Sequence, residues 1–331
     1  MKVLITGVAG LLGANFASYL MSKGHEVIGI DNLSGGYRSS VPEGVTFYNA
    51  DLANADDVNA VFEEHSPDYV YHFAAYAAEG LSPFIRRYNY TNNVICSINI
   101  VNACVNFNIQ KLIFTSSMAV YGEGSPPFTE EQRPAPEDPY GIAKYSVEQD
   151  IALAKMMFDL DYSIIRPHNV VGRYQNIWDR YRNVIGIWIR KIMNNEPVTI
   201  FGDGTQRRAF SDIDYYMEPF EKLMTDRGTD GETFNIGADK DYTINEAADL
   251  LMDVSREFGF NPSKVHLEAR KEVHTAYCDH TKARNILGFD DNTDLRKTMR
   301  DMFEWAMAQP ERPIKDMEYE IEKNMYSFWR K

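Results

Sequence analysis

Cysteine is scarce. The 331-residue chain has three, Cys96, Cys104 and Cys278, and none belongs to a CxxC pair. An odd number so spaced argues against a disulfide framework and offers no zinc quartet, so a cytoplasmic protein without a metal is expected. No apolar run reaches the roughly 18 residues that span a bilayer. The opening MKVLITGVAG has no basic stretch ahead of a long apolar one, so it reads as a strand and not a signal peptide. Basic residues are in the minority: 34 Lys and Arg against 48 Asp and Glu give a formal net charge of -14. That balance disfavours nucleic acid and anionic membranes as partners. A phosphate-bearing small molecule stays compatible, because a few local arginines override the mean field.

What is present is an alternation of short β-branched runs with helical stretches. Strands are expected at 3–6, 26–30, 46–48, 69–73, 111–115 and 163–166, with helices at 11–22, 56–64, 88–108 and 140–159 between them. The stretch 122–139 holds five prolines and reads as a surface loop. Beyond Pro167 the pattern loosens: a helix at 180–194, a strand at 198–201, a helix at 218–225, a strand at 233–236, then amphipathic helices from 244 onward. The expected fold class is α/β, a doubly wound parallel sheet with a smaller α+β substrate-binding lobe. The cofactor lobe takes 1–166 and is rejoined by about 211–236; the second lobe takes 167–210 and 237–331.

Gly7, Gly10 and Gly13 follow the first strand and open a helix in a GxxGxxG spacing. Glycines there allow a tight turn, a close backbone approach to a pyrophosphate and a helix pressed onto its strand. A turn that binds nothing is the plain alternative. Asp31 ends the second strand, 18 residues past Gly13, where a carboxylate accepts from adenosine ribose hydroxyls and repels a 2′-phosphate. NAD is thus favoured; Arg38 keeps NADP as an alternative. Asp51-Leu52, after the third strand, is placed to meet the adenine; a helix start is the plain alternative for Asp51.

Tyr140 and Lys144 lie four apart at the start of a helix and share a face. A phenol is a poor base at neutral pH, and a neighbouring ammonium lowers its pKa. Ser117 follows the fifth strand, whose C-terminal end should border the ligand crevice, and can hydrogen-bond a substrate oxygen. The bland readings are a surface Tyr–Lys pair and a serine capping a turn.

The glycine motif, Asp31, Asp51-Leu52, His72-Phe73-Ala74-Ala75, TSSMAVYG at 115–122, Tyr140-Gly-Ile-Ala-Lys144 and Arg166-Pro167-His168-Asn169 resemble, in order and over nearly the whole length, the extended short-chain dehydrogenases/reductases, and among them the NAD-dependent UDP-sugar 4-epimerases. The resemblance implies a Rossmann-type cofactor lobe, with Tyr140 as acid/base, Lys144 as its partner and Ser117 as third member. It implies cofactor contacts from Leu11, Leu12, Asn32, Phe73, Ala74, Ala75, Asn93 and Pro167. Substrate contacts are implied from Ser117, Met118, Asn169, Asn183 (RYRNV), Arg208 (GDGTQRRAF) and Arg270 (EARKEV). A UDP-hexose, N-acetylhexosamine or hexuronic acid would be oxidised transiently to a 4-keto sugar, turned over and reduced on its other face, with the cofactor retained. A homodimer through helices 88–108 and 140–159 is also implied, with Val94, Ile98, Val101 and Val105 on the shared face or, alternatively, against the chain's own sheet.

Dehydratases and decarboxylases of this type commonly carry an acidic residue just after the Ser/Thr. Here Met118 and Ala119 stand there, neither able to exchange a proton, which favours epimerisation over the alternative of a dehydratase, decarboxylase or reductase. A non-catalytic NAD-sensing protein is a further alternative, opposed by the intact Ser117, Tyr140 and Lys144. Tyr76-Ala77-Ala78-Glu79 and the run 210–215 depart from relatives. The residue near 276–278 that sets sugar tolerance is ambiguous: Ala276 leaves room for an N-acetyl group, Tyr277 does not.

Overall fold

The structure, a computed structural model, describes residues 1–270 and 272–330. In chain order the first half comprises β1 (Lys2–Thr6), α1 (Leu11–Ser22), β2 (Glu26–Ile30), β3 (Thr46–Tyr48), α2 (Ala55–His65), β4 (Tyr69–His72), α3 (Arg86–Tyr90), α4 (Cys96–Asn106), β5 (Lys111–Thr115), α5 (Pro139–Phe158) and β6 (Tyr162–Pro167). There follow β7 (Val170–Val171), α6 (Val184–Met193), β8 (Val198–Phe201), β9 (Arg207–Ala209), β10 (Ser211–Asp212), α7 (Met217–Thr225) and β11 (Glu232–Ile236). The rest comprises β12 (Asp241–Thr243), α8 (Ile244–Glu257), β13 (Lys264–Leu267), β14 (Thr275–Ala276), α9 (Thr281–Leu287) and α10 (Leu295–Met307).

Seven parallel strands form one sheet in the order β11-β6-β5-β4-β1-β2-β3. The strand order reverses between β1 and β4, which opens a crevice beyond their carboxyl ends. Because both faces are covered, the inner strands are mostly apolar runs and not alternating. One face packs Phe16, Leu20, Phe220 and Leu223 from α1 and α7; the other packs Val58, Phe62, Ile100, Val147 and Ile151 from α2, α4 and α5. A separate core joins α6, α8 and α10 around Trp188, Leu251 and Phe303. The stretch after 237 does not all go there: Ala283 and Leu287 of α9, with Phe289, pack in the α1–α7 layer.

Local chemistry moves two boundaries. Pro139, expected in the loop, is the first residue of α5, where its missing N–H costs no helix bond. Asp138 caps that helix by accepting from the N–H groups of Tyr140 (2.8 Å) and Gly141 (3.0 Å). The helix expected at 180–194 starts only at Val184, because Asn183 is left-handed at φ 63°. The single helix expected at 88–108 is α3, a π turn at Thr91–Ile95, and α4 in continuous succession. Among the described residues no helix is long and apolar enough to cross a membrane, and no group of three or more His, Cys, Asp or Glu side chains is arranged to hold a metal.

Candidate active site

One cavity of about 880 Å³ runs from the β1–α1 turn across the carboxyl ends of the strands to the second lobe. The residues that the sequence singles out for cofactor, substrate or chemistry line it, apart from Asn93, Arg38 and Tyr277. Asn93 is fully buried, and its amide is taken up by the backbone of Tyr76 (2.9 and 3.2 Å) and by Asn89 (2.8 Å). The π turn adds a residue per turn and rotates the register, so Asn92 and Cys96 face the cavity instead. The expected cofactor contact from Asn93 is corrected accordingly.

At the turn, Gly7 has φ 71°, and a Cβ there would stand 2.8 Å from the Ala74 nitrogen. At Gly13 a Cβ would stand 2.3 Å from the Gly7 oxygen, so any side chain would lift α1 off the turn. α1 begins at Gly10 with no side-chain cap, leaving its first N–H groups for a ligand. Asp31 accepts from the N–H groups of Ala9 (3.0 Å) and Leu33 (2.8 Å), and burial raises its carboxyl above the usual range despite these bonds. Arg38 stacks on Phe47 at 4.7 Å and is not on the cavity wall, which removes the support for NADP. The hydroxyls of Thr115 and Ser116, on the wall and buried, have no partner among the described residues. A glycine cradle that a Cβ would fill, a ribose-side carboxylate and unpaired hydroxyls together fit a dinucleotide.

Beside that cradle, Ser117, two residues past β5, caps the short turn Met118–Tyr121, its Oγ accepting from the Ala119 N–H at 3.1 Å. The same hydroxyl faces the Tyr140 phenol and opposes the rise in its pKa. Lys144 is buried; its Nζ donates to the Thr115 carbonyl at 2.7 Å and lies 5.9 Å from the centroid of the Tyr140 ring. Burial pushes the Lys144 ammonium down to about 7, against the pull of Glu148. The Tyr140 phenol is raised rather than lowered: burial dominates, the charge of Glu79 adds to it, and the Ser117 hydroxyl and Arg182 oppose. The lowering expected from a neighbouring ammonium is thus not the direction this burial produces.

The second lobe supplies cations. Arg208 pairs with Glu272 at 3.0 Å, and Arg270 stacks on Phe201 at 4.2 Å while reaching Glu272 at 3.6 Å. Asn169 and Asn183 both adopt positive φ on the wall. Ala276 lines the cavity and Tyr277 does not.

Two groups escaped the sequence reading. Arg182, on the wall, is held by Asp179 (2.8 Å) and lies 4.7 Å over Tyr76; its adjacency to Asn183 in RYRNV was the available signal. Glu79 was noted only as a departure. Water reaches it through the cleft, yet surrounding walls and the charge of Asp138 push its carboxyl up to about 7.

A parallel sheet in the order 3-2-1-4-5-6 with a glycine turn at its reversal defines the class, a Rossmann-type dinucleotide-binding protein. The model of the NAD dependent epimerase/dehydratase family matches residues 3–237, and the chain belongs to that family. It is similar to the UDP-glucose 4-epimerase of Thermotoga maritima, solved with UDP-glucose, with 30% identity, a TM-score of 0.86, and 93% of this chain and 99% of that one covered. The UDP-glucuronic acid 4-epimerase of Bacillus cereus, solved with UDP-glucuronic acid and NAD, shows 26% identity and a TM-score of 0.82 over 93% and 99%. The UDP-glucose 4-epimerase of Halalkalibacterium halodurans is 28% identical over 330 residues, covering 94% of this chain and 97% of that protein.

Proposed function

We propose that this enzyme inverts C4 of a UDP-sugar, with Ser117, Tyr140 and Lys144 as its catalytic residues. The observation that carries the reading is their convergence: a hydroxyl, a phenol and an ammonium from two separate stretches meet on the wall of one cavity that also holds the glycine cradle. Gly7, Gly10, Gly13, Asp31 and the Thr115 and Ser116 hydroxyls hold NAD, which when bound supplies a hydride acceptor and a positive charge. Tyr140 takes the C4 hydroxyl proton and later returns it. Ser117 donates to the sugar oxygen and orients the phenol. Arg208, Arg270 and Arg182 hold the diphosphate while the sugar turns.

Glu79 and Asp138, both on the wall near Tyr140, favour an uncharged hexose or N-acetylhexosamine over a hexuronate, whose carboxylate they repel. The same Glu79, titrating near 7, supports a second reading in which water is eliminated from the sugar. Incubation with UDP-glucose, UDP-N-acetylglucosamine and UDP-glucuronate, without added NAD, separates these by NMR. A C4 isomer supports epimerisation, a dehydrated product supports the second reading, and an unchanged panel sinks both.

The two-lobed division and a cytoplasmic location, in keeping with three free thiols, belong to the same reading. So does a homodimer, although its face differs from the expectation. Val94, Val101 and Val105 pack on the chain's own sheet, whereas Ile142, Leu153, Met156 and Met157 of α5 are 43–71% exposed at spacings that share one side. Light scattering that returns a monomer at micromolar concentration would remove this part.

A further inference from the structure

Residues 309–330 contain no helix and lie beyond the span matched by the family model, yet they are docked along their length. The Arg312 guanidinium lies 3.8 Å over Tyr37 and donates to the Ser39 hydroxyl at 2.7 Å, and Lys315 Nζ reaches the Ser34 carbonyl at 3.1 Å. Asp316 accepts from Arg180 at 2.8 Å. The Glu320 carboxylate accepts from the N–H groups of Arg87 (2.8 Å) and Tyr88 (2.9 Å) at the start of α3, and the Glu320 N–H donates to the Phe84 carbonyl at 2.8 Å. The tail thereby ties the 34–39 loop and the 84–88 segment to the second lobe. Ser34, Phe84 and Tyr181, from the three stretches it grips, all line the cavity.

Its end is aromatic and reaches the cavity itself. Trp329 is 3% exposed and lies 3.6 Å from where a Gly80 Cβ would stand, one residue from Glu79. Phe328 packs on Phe201 at 4.4 Å, the same ring that carries the Arg270 guanidinium. Tyr326 stacks on Phe328 at 5.3 Å and forms part of the cavity wall.

We propose that this tail is part of the substrate site: Tyr326 touches the sugar–diphosphate portion of the bound nucleotide sugar, and Phe328, through Phe201, positions Arg270 toward the diphosphate. Tyrosine suits that place, since its ring offers an apolar face to a pyranose. The two flanking aromatics fix its rotamer before a ligand arrives, which lowers the ordering cost of binding. The proposal rests on the cleft being the sugar-nucleotide site.

The test uses the full chain carrying Tyr326→Ala, Tyr326→Phe or Phe328→Ala, with calorimetry of UDP and UDP-glucose binding, steady-state kinetics, retained NAD and melting temperature. Tyr326→Ala is expected to weaken UDP-glucose binding and raise KM about tenfold, with kcat within about twofold and NAD content unchanged. Tyr326→Phe keeps most of the affinity, and Phe328→Ala weakens UDP as well as UDP-glucose. Affinities equal to wild type in both alanine variants overturn the proposal, and so does a lowered melting temperature with unaltered affinity, which makes the tail a structural strap alone. A wild type that binds UDP-glucose but isomerises nothing instead overturns the functional reading.

Discussion

The Arg166 guanidinium meets the Glu148 carboxylate through two hydrogen bonds, Nε at 2.9 Å and Nη2 at 2.6 Å, with both side chains about 5% exposed. The remaining Nη1 donates to the Tyr121 hydroxyl at 2.8 Å, which donates to Asn235 on β11. Glu148 is one turn beyond Lys144 on α5 and supports its charge. The pair therefore fastens α5 to β6 and, through Tyr121, to β11 at the sheet edge.

Glu148→Ala should leave a buried guanidinium unpaired and cost about 3–5 kcal/mol of stability. Urea unfolding of the apoprotein measures it. A loss below about 0.5 kcal/mol would show that water replaces the carboxylate.

Tyr140→Phe removes the proton acceptor but none of the cavity's shape. The turnover number should fall by about 10²–10⁴-fold, with the cofactor retained and substrate affinity little changed. Lys144→Met should also cut turnover. Full activity in Tyr140→Phe would leave the mechanism without its base.

Glu79 makes stability depend on pH in a stated direction. Its folded pKa, about 7, lies above the ordinary carboxylate value of 4.5, so between those limits the folded chain holds the extra proton. The contribution is present in full below 4.5 and is lost as pH rises through 7. Glu79→Gln should melt with wild type at pH 4.5 and above it at pH 8. Parallel melting curves across that range contradict the assignment.

Ala276 offers space where a larger residue would close the pocket. Ala276→Tyr should abolish turnover of an N-acetylated sugar while sparing the parent hexose. Equal loss on both substrates would mean that the position senses the fold and not the acetamido group.

The sheet was readable because its strands are runs of β-branched residues and its turns carry glycine. Gly7, Asp31 and Tyr140 were legible from their spacing only together with the strand ends they follow and the family resemblance. Three things were not readable. A π turn has no fixed composition, so Asn93 was given the face that Asn92 occupies. The pKa of Tyr140 depends on burial and on Glu79, a residue 61 positions away in the chain. The apolar side of α4 obeys the same periodicity whether it meets a partner or its own sheet, and only packing distinguishes them.

The seventh strand carries a consequence for biosynthesis. Lys111 on β5 is 1% exposed, and its ammonium is met by Thr229 at 2.7 Å and Asp230 at 2.6 Å, residues just ahead of β11. A nascent chain that has emerged only as far as residue 166 thus lacks the partners of that cation and has an open flank on β6. The ribosome must deliver some seventy further residues before that edge is closed, so for that interval of translation β6 offers an unpaired strand edge.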